Sequence, residues 1–201
     1  MTPATKPILL DFPDQIETER LIIRAPRPGD GPPLAEAVRD SQTHLQPWMP
    51  WAQRVASPEE YEALVREGIA RWTRREDFWM MLIRKADGRW IGGSGLHDPD
   101  WDVPRFEIGY WVRADEEGKG YISEAVRAIT DFAFVTLRAE RLEIRCDALN
   151  RRSRAVAERC GFTLEGCLRR DTRTPGGELR DTLVFGLIRP DWEARRAQAT
   201  P

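Results

Sequence analysis

Apolar and polar residues alternate in short segments along much of the chain, and stretches with helical spacing separate these segments. The clearest alternation covers residues 106–113, where every second side chain from Phe106 to Val112 is apolar, as in a strand with one buried face. Apolar residues then recur at helical spacing from Ile122 to Leu137. The turn at residues 117–121 is therefore predicted to lie at the amino-terminal end of a helix.

The same criteria predict the other elements. The predicted strands cover residues 16–25, 77–85, 89–97, 141–148, 163–172 and 179–188, the predicted helices cover residues 32–40, 58–75 and 152–160, and residues 189–196 form a terminal helix or tail. Asp87-Gly88 predicts a two-residue hairpin turn, and Ser57-Pro58 predicts a helix start. This order favours an α/β fold of the α+β type, with a mixed, mostly antiparallel sheet of six or seven strands flanked by helices.

Length and composition fit one domain. We expect it to cover residues 1–201, with a core at 16–188 and tails at 1–15 and 189–201. A net charge of −2, with 32% charged residues, excludes a general nucleic-acid binder and a polybasic membrane-binding surface. No apolar run approaches the length of a membrane span and the amino terminus lacks a secretory signal, so we expect a cytoplasmic protein.

The three cysteines, Cys146, Cys160 and Cys167, have no metal-type spacing and no histidine beside them in sequence. We expect packing roles and a reduced compartment for these thiols, because a free cysteine is mostly a small buried hydrophobe. No metal site is therefore expected, and an acyl-cysteine intermediate is disfavoured.

The turn at residues 117–121 has the chemistry of a phosphate-binding site. It contains Gly118 and Gly120, and the backbone N–H groups at a helix start lack intrahelical partners and face the positive end of the helix dipole. The alternative is a tight strand-to-helix turn in which glycine only supplies a positive φ. The spacing matches neither G-x-x-x-x-G-K-[ST] nor a dinucleotide fingerprint, which excludes nucleoside triphosphate hydrolysis and hydride transfer.

Four segments carry a family resemblance. They are HLQPWMPW at residues 44–51, EIGYWV at 107–112, EGKGYI with SEAVRAITDFAF at 117–134, and NRRS with AERCGFTLEG at 150–153 and 157–166. In this order they resemble the acetyl-CoA-binding core of the GNAT N-acetyltransferase superfamily, and most closely its RimJ/RimL-like branch, which acetylates N-termini of ribosomal proteins. The resemblance spans residues 16–188 and implies a V-shaped split between the fourth and fifth strands.

This resemblance implies acetyl-CoA as a cosubstrate, with its diphosphate on the loop amides and its 3′-phosphate near the arginines at 151, 152 and 154. The residues expected to bind it are Trp111, Val112, Glu117, Gly118, Lys119, Gly120, Tyr121, Ile122, Ser123, Asn150 and Arg152. Glu117 and Ile122 depart from the usual Gln/Arg-x-x-Gly-x-Gly/Ala pattern. A carboxylate at 117 repels a diphosphate unless Lys119 offsets it or the side chain turns to solvent.

Acetyl transfer needs a base for the amine, a donor for the oxyanion and an acid for the leaving thiolate. Glu107 is the candidate base and His97 its rival; the alternatives are a solvated strand carboxylate and a loop histidine. Ser153 is the candidate acid implied by the resemblance, although it could also cap its helix. Relatives carry a catalytic carboxylate near Thr172, and Asp171 is not expected to replace it, because one step along a strand reverses the facing.

Aromatic residues in predicted loops are candidates for the acceptor site, with core anchoring as the alternative. The residues expected to contact the acceptor are Trp48, Trp51, His97, Trp101 and Tyr110. We expect direct transfer in a ternary complex to a primary amine, foremost a protein N-terminal α-amine. The alternatives are a small-molecule amine, such as a metabolite, nucleotide conjugate or antibiotic, and a non-catalytic acyl-CoA-binding module. No nucleic-acid or membrane partner is expected, and a homodimer is left open.

Overall fold

The computed structural model describes residues 6–199, which form eight β-strands and five α-helices. The strands are β1 (Gln15–Glu17), β2 (Leu21–Arg24), β3 (Phe78–Arg84), β4 (Trp90–Asp100), β5 (Arg105–Val112), β6 (Arg141–Asp147), β7 (Thr163–Arg173) and β8 (Leu179–Ile188). The helices are α1 (Gly31–Leu45), α2 (Pro58–Arg74), α3 (Tyr121–Val135), α4 (Arg151–Arg159) and α5 (Arg189–Ala199). The ends of the two expected tails, residues 1–5 and 200–201, lie outside the described residues.

The strands form one sheet in the order β1-β2-β3-β4-β5-β6-β8-β7, and among these described strands only the β5–β6 pair is parallel. The expected mixed, mostly antiparallel sheet is confirmed, but it has eight strands among the described residues. The reason is that the stretch predicted as one strand folds into the β1–β2 hairpin, where the Thr18 N–H donates to the Leu21 carbonyl at 2.9 Å. The polar run between Glu17 and Arg20 forms this turn.

The parallel pair explains where the sheet opens. β5 and β6 pair only over Arg105↔Arg141, Phe106↔Leu142 and Glu107↔Glu143. Beyond these residues β5 continues with β4 alone and β6 with β8 alone. The expected split between the fourth and fifth strands is therefore confirmed; these strands are β5 and β6 once the first hairpin is counted as two.

Helices cover both faces of the sheet, and β3 shows this in its sequence. Met80 and Leu82 belong to the larger core, which includes α3, whereas Met81 and Ile83 pack in a smaller core with α1 and α2. Burial on both faces produces an apolar run in place of strict alternation. A fully buried Phe78 in the larger core contacts the rings of Trp72 and Phe106 edge to face.

Local signals fix the helix starts and turns. The Ser57 hydroxyl accepts from the Glu60 N–H at 3.2 Å, and the Glu60 carboxylate accepts from the Ser57 N–H at 2.7 Å, a reciprocal cap on α2. Gly88 has a φ of 69° in the β3–β4 connection, but the predicted two-residue turn is wrong. The Arg84 N–H donates to the Arg89 carbonyl at 2.8 Å, so the loop has four residues, 85–88, and Asp87 does not take the positive φ that a two-residue turn requires. α1 extends to Leu45, five residues beyond the prediction, because the polar residues after Asp40 obscured a buried stripe that ends at Leu45.

Candidate active site

Two cavities meet where β5 and β6 diverge. The first, the loop cleft, has a volume of about 1340 Å³ and runs along the turn before α3. The second, the tryptophan cavity, has a volume of about 730 Å³ and is walled in part by Trp48, Trp51, Trp79 and Trp111. The residues that line both are Trp48, Met49, Tyr110, Trp111, Asn150 and Ser153. These shared residues form the junction between the two cavities.

The backbone of the loop cleft is prepared for an anion. Gly118 and Gly120 have φ values of 76° and 83°, and Gly120 is the residue that precedes α3. These left-handed conformations, which glycine adopts without strain, turn successive amides toward the cleft. Within residues 6–199 no acceptor is hydrogen-bonded to the N–H groups of residues 118–123. They lie at the positive end of the α3 dipole.

The carboxylate of Glu117 does not point freely into the cleft. Its Oε1 lies 2.6 Å from a guanidinium nitrogen of Arg152, and its Oε2 lies 3.8 Å from His44 Nδ1. The negative charge of Glu117, which departs from the family pattern, is thus paired with the positive charge of Arg152 on α4. Arg152, expected near a phosphate of the cofactor, is held by this contact.

A buried carboxylate anchors the loop from below. Glu116 is 2% exposed and lies 2.9 Å from nitrogens of Arg84, Arg89 and Lys119. Burial raises the pKa of Glu116, but Lys119 and Arg84 more than offset this effect, so the pKa lies below its ordinary value. Lys119 therefore neutralises Glu116, and its side chain does not line the loop cleft.

Ser153 lies at the junction of the cavities. Asn150 caps α4 by accepting from the Ser153 N–H at 3.0 Å, which leaves the Ser153 hydroxyl free of the capping role. The Tyr110 hydroxyl lies 2.9 Å from this Oγ and 3.0 Å from the Ser153 carbonyl oxygen, to which it donates. Burial raises the pKa of Tyr110, so the phenol keeps its proton. A serine supported by a protonated tyrosine therefore borders both cavities.

Two titratable residues lie side by side on the floor of the tryptophan cavity. Glu107 on β5 is the direct cross-strand neighbour of His97 on β4. Burial raises the pKa of Glu107, while Arg145, with Nε 3.7 Å from its carboxylate, acts in the opposite direction. His97 is not a free loop histidine, because its Nδ1 lies 2.9 Å from the Asp77 carboxylate.

A bulge in β7 changes which side chains of this strand face the tryptophan cavity. Leu168 pairs with Thr182 but Thr172 pairs with Arg180, so three residues of β7 oppose one residue of β8. Arg170 has a positive φ of 53° within this bulge. As a result both Asp171 and Thr172 line the tryptophan cavity. The expectation that Asp171 faces away was wrong, because strict alternation fails at a bulge.

The aromatic candidates separate into two groups. Trp48 and Trp51 line the tryptophan cavity, and the Trp51 ring meets Trp111 edge to face at 5.7 Å. Trp101 lines neither cavity: its Nε1 donates to the Arg75 carbonyl at 3.2 Å and its ring packs on Phe106 at 5.3 Å. The expected acceptor contact of Trp101 is therefore not supported, because its loop folds back onto the core.

The thiols do not form a nucleophilic site. Cys146 lines the tryptophan cavity, but burial raises the pKa of its thiol, and burial does the same to Cys160. Cys167 is exposed on β7 and lines neither cavity. Over residues 6–199, no cluster of three or more histidine, cysteine or acidic residues could hold a metal ion. In the same part of the chain, no helix has the length and apolarity needed to cross a membrane.

Sequence and structure comparisons agree with this geometry. Residues 20–163 match the family model for the acetyltransferase (GNAT) domain. The chain is 34% identical over 181 residues to the "Putative ribosomal N-acetyltransferase YdaF" of Bacillus subtilis (strain 168), which covers 89% of this chain and 96% of that protein. It is 33% identical over 137 residues to the ribosomal-protein-serine acetyltransferase of Escherichia coli (strain K12), covering 68% of this chain and 75% of that protein.

Among solved structures, a RimL ribosomal L7/L12 α-N-protein acetyltransferase in complex with coenzyme A superposes with a TM-score of 0.82 at 25% identity. The superposition covers 88% of this chain and 99% of that one. The family model spans well over half of the sequence, and the relatives match along most of their own length. The chain is a member of the GNAT acetyltransferase family.

Proposed function

We propose that this protein transfers an acetyl group in the cytoplasm from acetyl-CoA to a protein N-terminal α-amine, by direct transfer. The observation that carries the proposal is the junction of the two cavities. Free amides at the start of α3 line one cavity, acidic and aromatic side chains line the other, and Ser153 and Tyr110 stand between them.

On the loop side, the amides of residues 118–123 would bind the diphosphate of coenzyme A, and Asn150 would contact the pantetheine arm. Three guanidinium groups that line this cleft, those of Arg127, Arg151 and Arg159, form no ion pair within residues 6–199. They are the available partners for the 3′-phosphate, since Arg154, the remaining candidate, pairs with Glu158 at 2.8 Å.

On the acceptor side, carboxylates favour an ammonium group. Glu107 and Asp171 line the tryptophan cavity, and no hydrogen bond or ion pair holds Asp171 within the described residues. An α-amine with an ordinary pKa near 7.8 is roughly 10% free base at neutral pH, whereas a lysine near 10.4 is below about 0.1%. An α-amine thus needs less assistance, and the E. coli relative is named for acetylating a ribosomal protein at serine.

The groups around the junction of the two cavities are the candidates for a direct part in the reaction. The Arg113 N–H donates to the Ile91 carbonyl on β4 at 2.8 Å, so alternation directs the Val112 N–H toward the split, where an oxyanion can be stabilised. Ser153 would donate its hydroxyl proton to the departing thiolate, and Tyr110, which keeps its own proton, would hold Ser153 in position. Direct attack by the amine agrees with the raised pKa values of Cys146 and Cys160.

The test is acetyl transfer to a panel of peptides and small amines. Purified protein is incubated with acetyl-CoA, free thiol is followed over time, and mass spectrometry locates the added acetyl group. The expected result is acetylation of peptide α-amines. If only small amines are acetylated, the acceptor is a small-molecule amine and not a protein N-terminus. The tryptophan rings of the cavity would also suit such an acceptor. Calorimetric binding of acetyl-CoA without turnover would instead identify a binding module, and absence of binding would contradict the whole proposal.

A further inference from the structure

The imidazole of His97 is held at two points. Its Nδ1 lies 2.9 Å from Oδ2 of Asp77, the residue just before β3. Asp77 is largely buried, with 13% of its side chain exposed, and also lies 3.6 Å from a guanidinium nitrogen of Arg71 on α2. A carboxylate that accepts from Nδ1–H leaves Nε2 as the nitrogen with the free lone pair.

Two glycines on adjacent strands make room for this ring. Gly95 on β4 and Gly109 on β5 are paired in register. A Cβ atom at Gly109 would lie 3.1 Å from His97 Cδ2 and 3.2 Å from Nε2, and one at Gly95 would lie 2.9 Å from Cε1 and 3.0 Å from Nε2. Glycine inside a strand weakens the sheet, so a pair of them beneath one imidazole indicates a close approach. The imidazole ring therefore packs against sheet backbone that carries no side chains, inside the tryptophan cavity.

The charges around His97 distinguish it from Glu107 as a proton acceptor. The charged groups around the imidazole are Asp77 before β3, which contacts the ring, and Glu107, its cross-strand neighbour on β5. Arg71 on α2 contacts Asp77, and Asp98, next to His97 in the chain, acts electrostatically on Glu107. Arg145 on β6 engages Glu107 at 3.7 Å and competes for its carboxylate. The His97 Nε2, in contrast, contacts no donor within the described residues.

We propose that Asp77 is a positioning residue that orients His97, and that His97 Nε2 takes the proton from the acceptor ammonium group. The inference rests on the proposed acetyltransferase function. The neutral amine then forms a C–N bond with the thioester carbonyl, and the C–S bond breaks. As the amide forms, the second nitrogen proton passes to Ser153, whose hydroxyl proton goes to the departing thiolate. His97 finally releases its proton to water, so one ammonium and one thioester give one amide, one thiol and one proton.

Kinetics of three variants test the roles. With the best acceptor peptide, His97→Gln is expected to lower kcat by about 100-fold, in the range of positioned acid–base groups. Asp77→Asn is expected to lower kcat by 10- to 100-fold with little change in KM, because the imidazole loses the carboxylate that orients it. Asp77→Glu should recover part of the loss. Wild-type kcat in the His97→Gln and Asp77→Asn variants would overturn the proposal.

A matched control exists elsewhere on the molecule. Asp131 accepts from the ring N–H of Trp192 at 2.7 Å, and neither residue lines either cavity. Asp131→Asn removes the same kind of carboxylate-to-ring contact and is expected to leave turnover unchanged. Asp77 and His97 do not line the loop cleft, so acetyl-CoA binding by calorimetry should be the same in all of these variants.

Histidine NMR separates the positioning contact from turnover. The chain has two histidines, so His97→Gln assigns both ¹⁵N-labelled rings without ambiguity. The expected wild-type spectrum shows His97 protonated at Nδ1, and Asp77→Asn should change this pattern without changing His44. A wild-type ring protonated only at Nε2 would contradict the positioning role. If acetyl-CoA binds but wild-type protein turns over no acceptor, the proposed function fails along with the base role, whereas normal turnover by the variants contradicts the dyad alone.

Discussion

The loop cleft and the tryptophan cavity are built in different ways. The anion-binding part of the first uses the backbone of one continuous segment, in which two glycines with positive φ are followed directly by a helix. The second collects residues from loops, helices α1, α2 and α4 and strands β3 to β8, and β7 contributes through a bulge. A site made by local backbone geometry depends on few positions, whereas one made by distant side chains depends on the exact packing of the sheet. The following substitutions examine this contrast.

The largest effect is expected at the junction. Ser153→Ala should lower kcat by about 100-fold, which corresponds to ~2.7 kcal/mol in the transition state, while acetyl-CoA binding stays within about threefold. Tyr110→Phe should cost about tenfold, because the serine hydroxyl remains. Stopped-flow detection of free thiol with calorimetry measures both quantities. Equal and small effects of the two changes would show that the thiolate leaves without an acid from this chain.

The next effect concerns the anchor below the loop. Glu116→Gln should lower the free energy of unfolding by about 2 kcal/mol at neutral pH, because the charged hydrogen bonds to Arg84, Arg89 and Lys119 weaken. A lowered pKa means that this stabilisation is present above the ordinary value of 4.5 and is lost as pH falls through the folded-state pKa. Urea melts at several pH values should show the two proteins converging in acid. A difference in unfolding free energy that stays constant with pH would contradict an electrostatic role of Glu116.

A smaller effect is expected for the backbone of the loop. Gly118→Ala should weaken acetyl-CoA binding about tenfold, because a side chain at φ 76° strains the loop and disturbs its amides. Gly88→Ala is the matched control: Gly88 has a φ of 69°, and a Cβ at either glycine meets nothing within 4 Å. Both variants should lose about 1 kcal/mol of stability, but only the first should bind more weakly. If both variants bind acetyl-CoA with the same affinity, the loop amides do not contribute to its binding.

The smallest effect is expected at Glu107. If His97 is the base, Glu107→Gln should lower turnover by less than about tenfold, since only the local field changes. The raised pKa of Glu107 means that its charge is costly in the folded state, so the variant should be no less stable than wild type at neutral pH. Thermal melts and steady-state rates measure both. A loss of about 100-fold would return the base role to Glu107.

The same contrast explains what could be predicted from the sequence. The turn at residues 117–121 and the helix start at Ser57-Pro58 are local features, and the structure has them as predicted. The hairpin between β3 and β4 was also predicted, but its loop has four residues instead of two. The neutralisation of Glu117 by Arg152 joins residues 35 positions apart in the chain, counted as 152 − 117, and no pattern in the sequence pairs them.

Long-range geometry was also the reason for the wrong predictions. The bulge that brings Asp171 into the tryptophan cavity depends on the pairing of β7 with β8, so alternation along β7 alone gave the opposite facing. Asp77 was missed because its partner His97 comes from another strand. A signal for this site was nevertheless present: Gly95 and Gly109 are glycines inside otherwise regular strands, which indicates that something approaches the sheet closely.

The wall of indole rings has a practical consequence. Four of the eight tryptophans line the tryptophan cavity, and Trp51 is 47% exposed there while it touches Trp111. An acceptor that displaces water from these rings changes their emission wavelength and their quenching by iodide. The unlabelled protein thus carries its own fluorescent reporter, which allows peptides to be screened for occupancy before any acetylation assay is available.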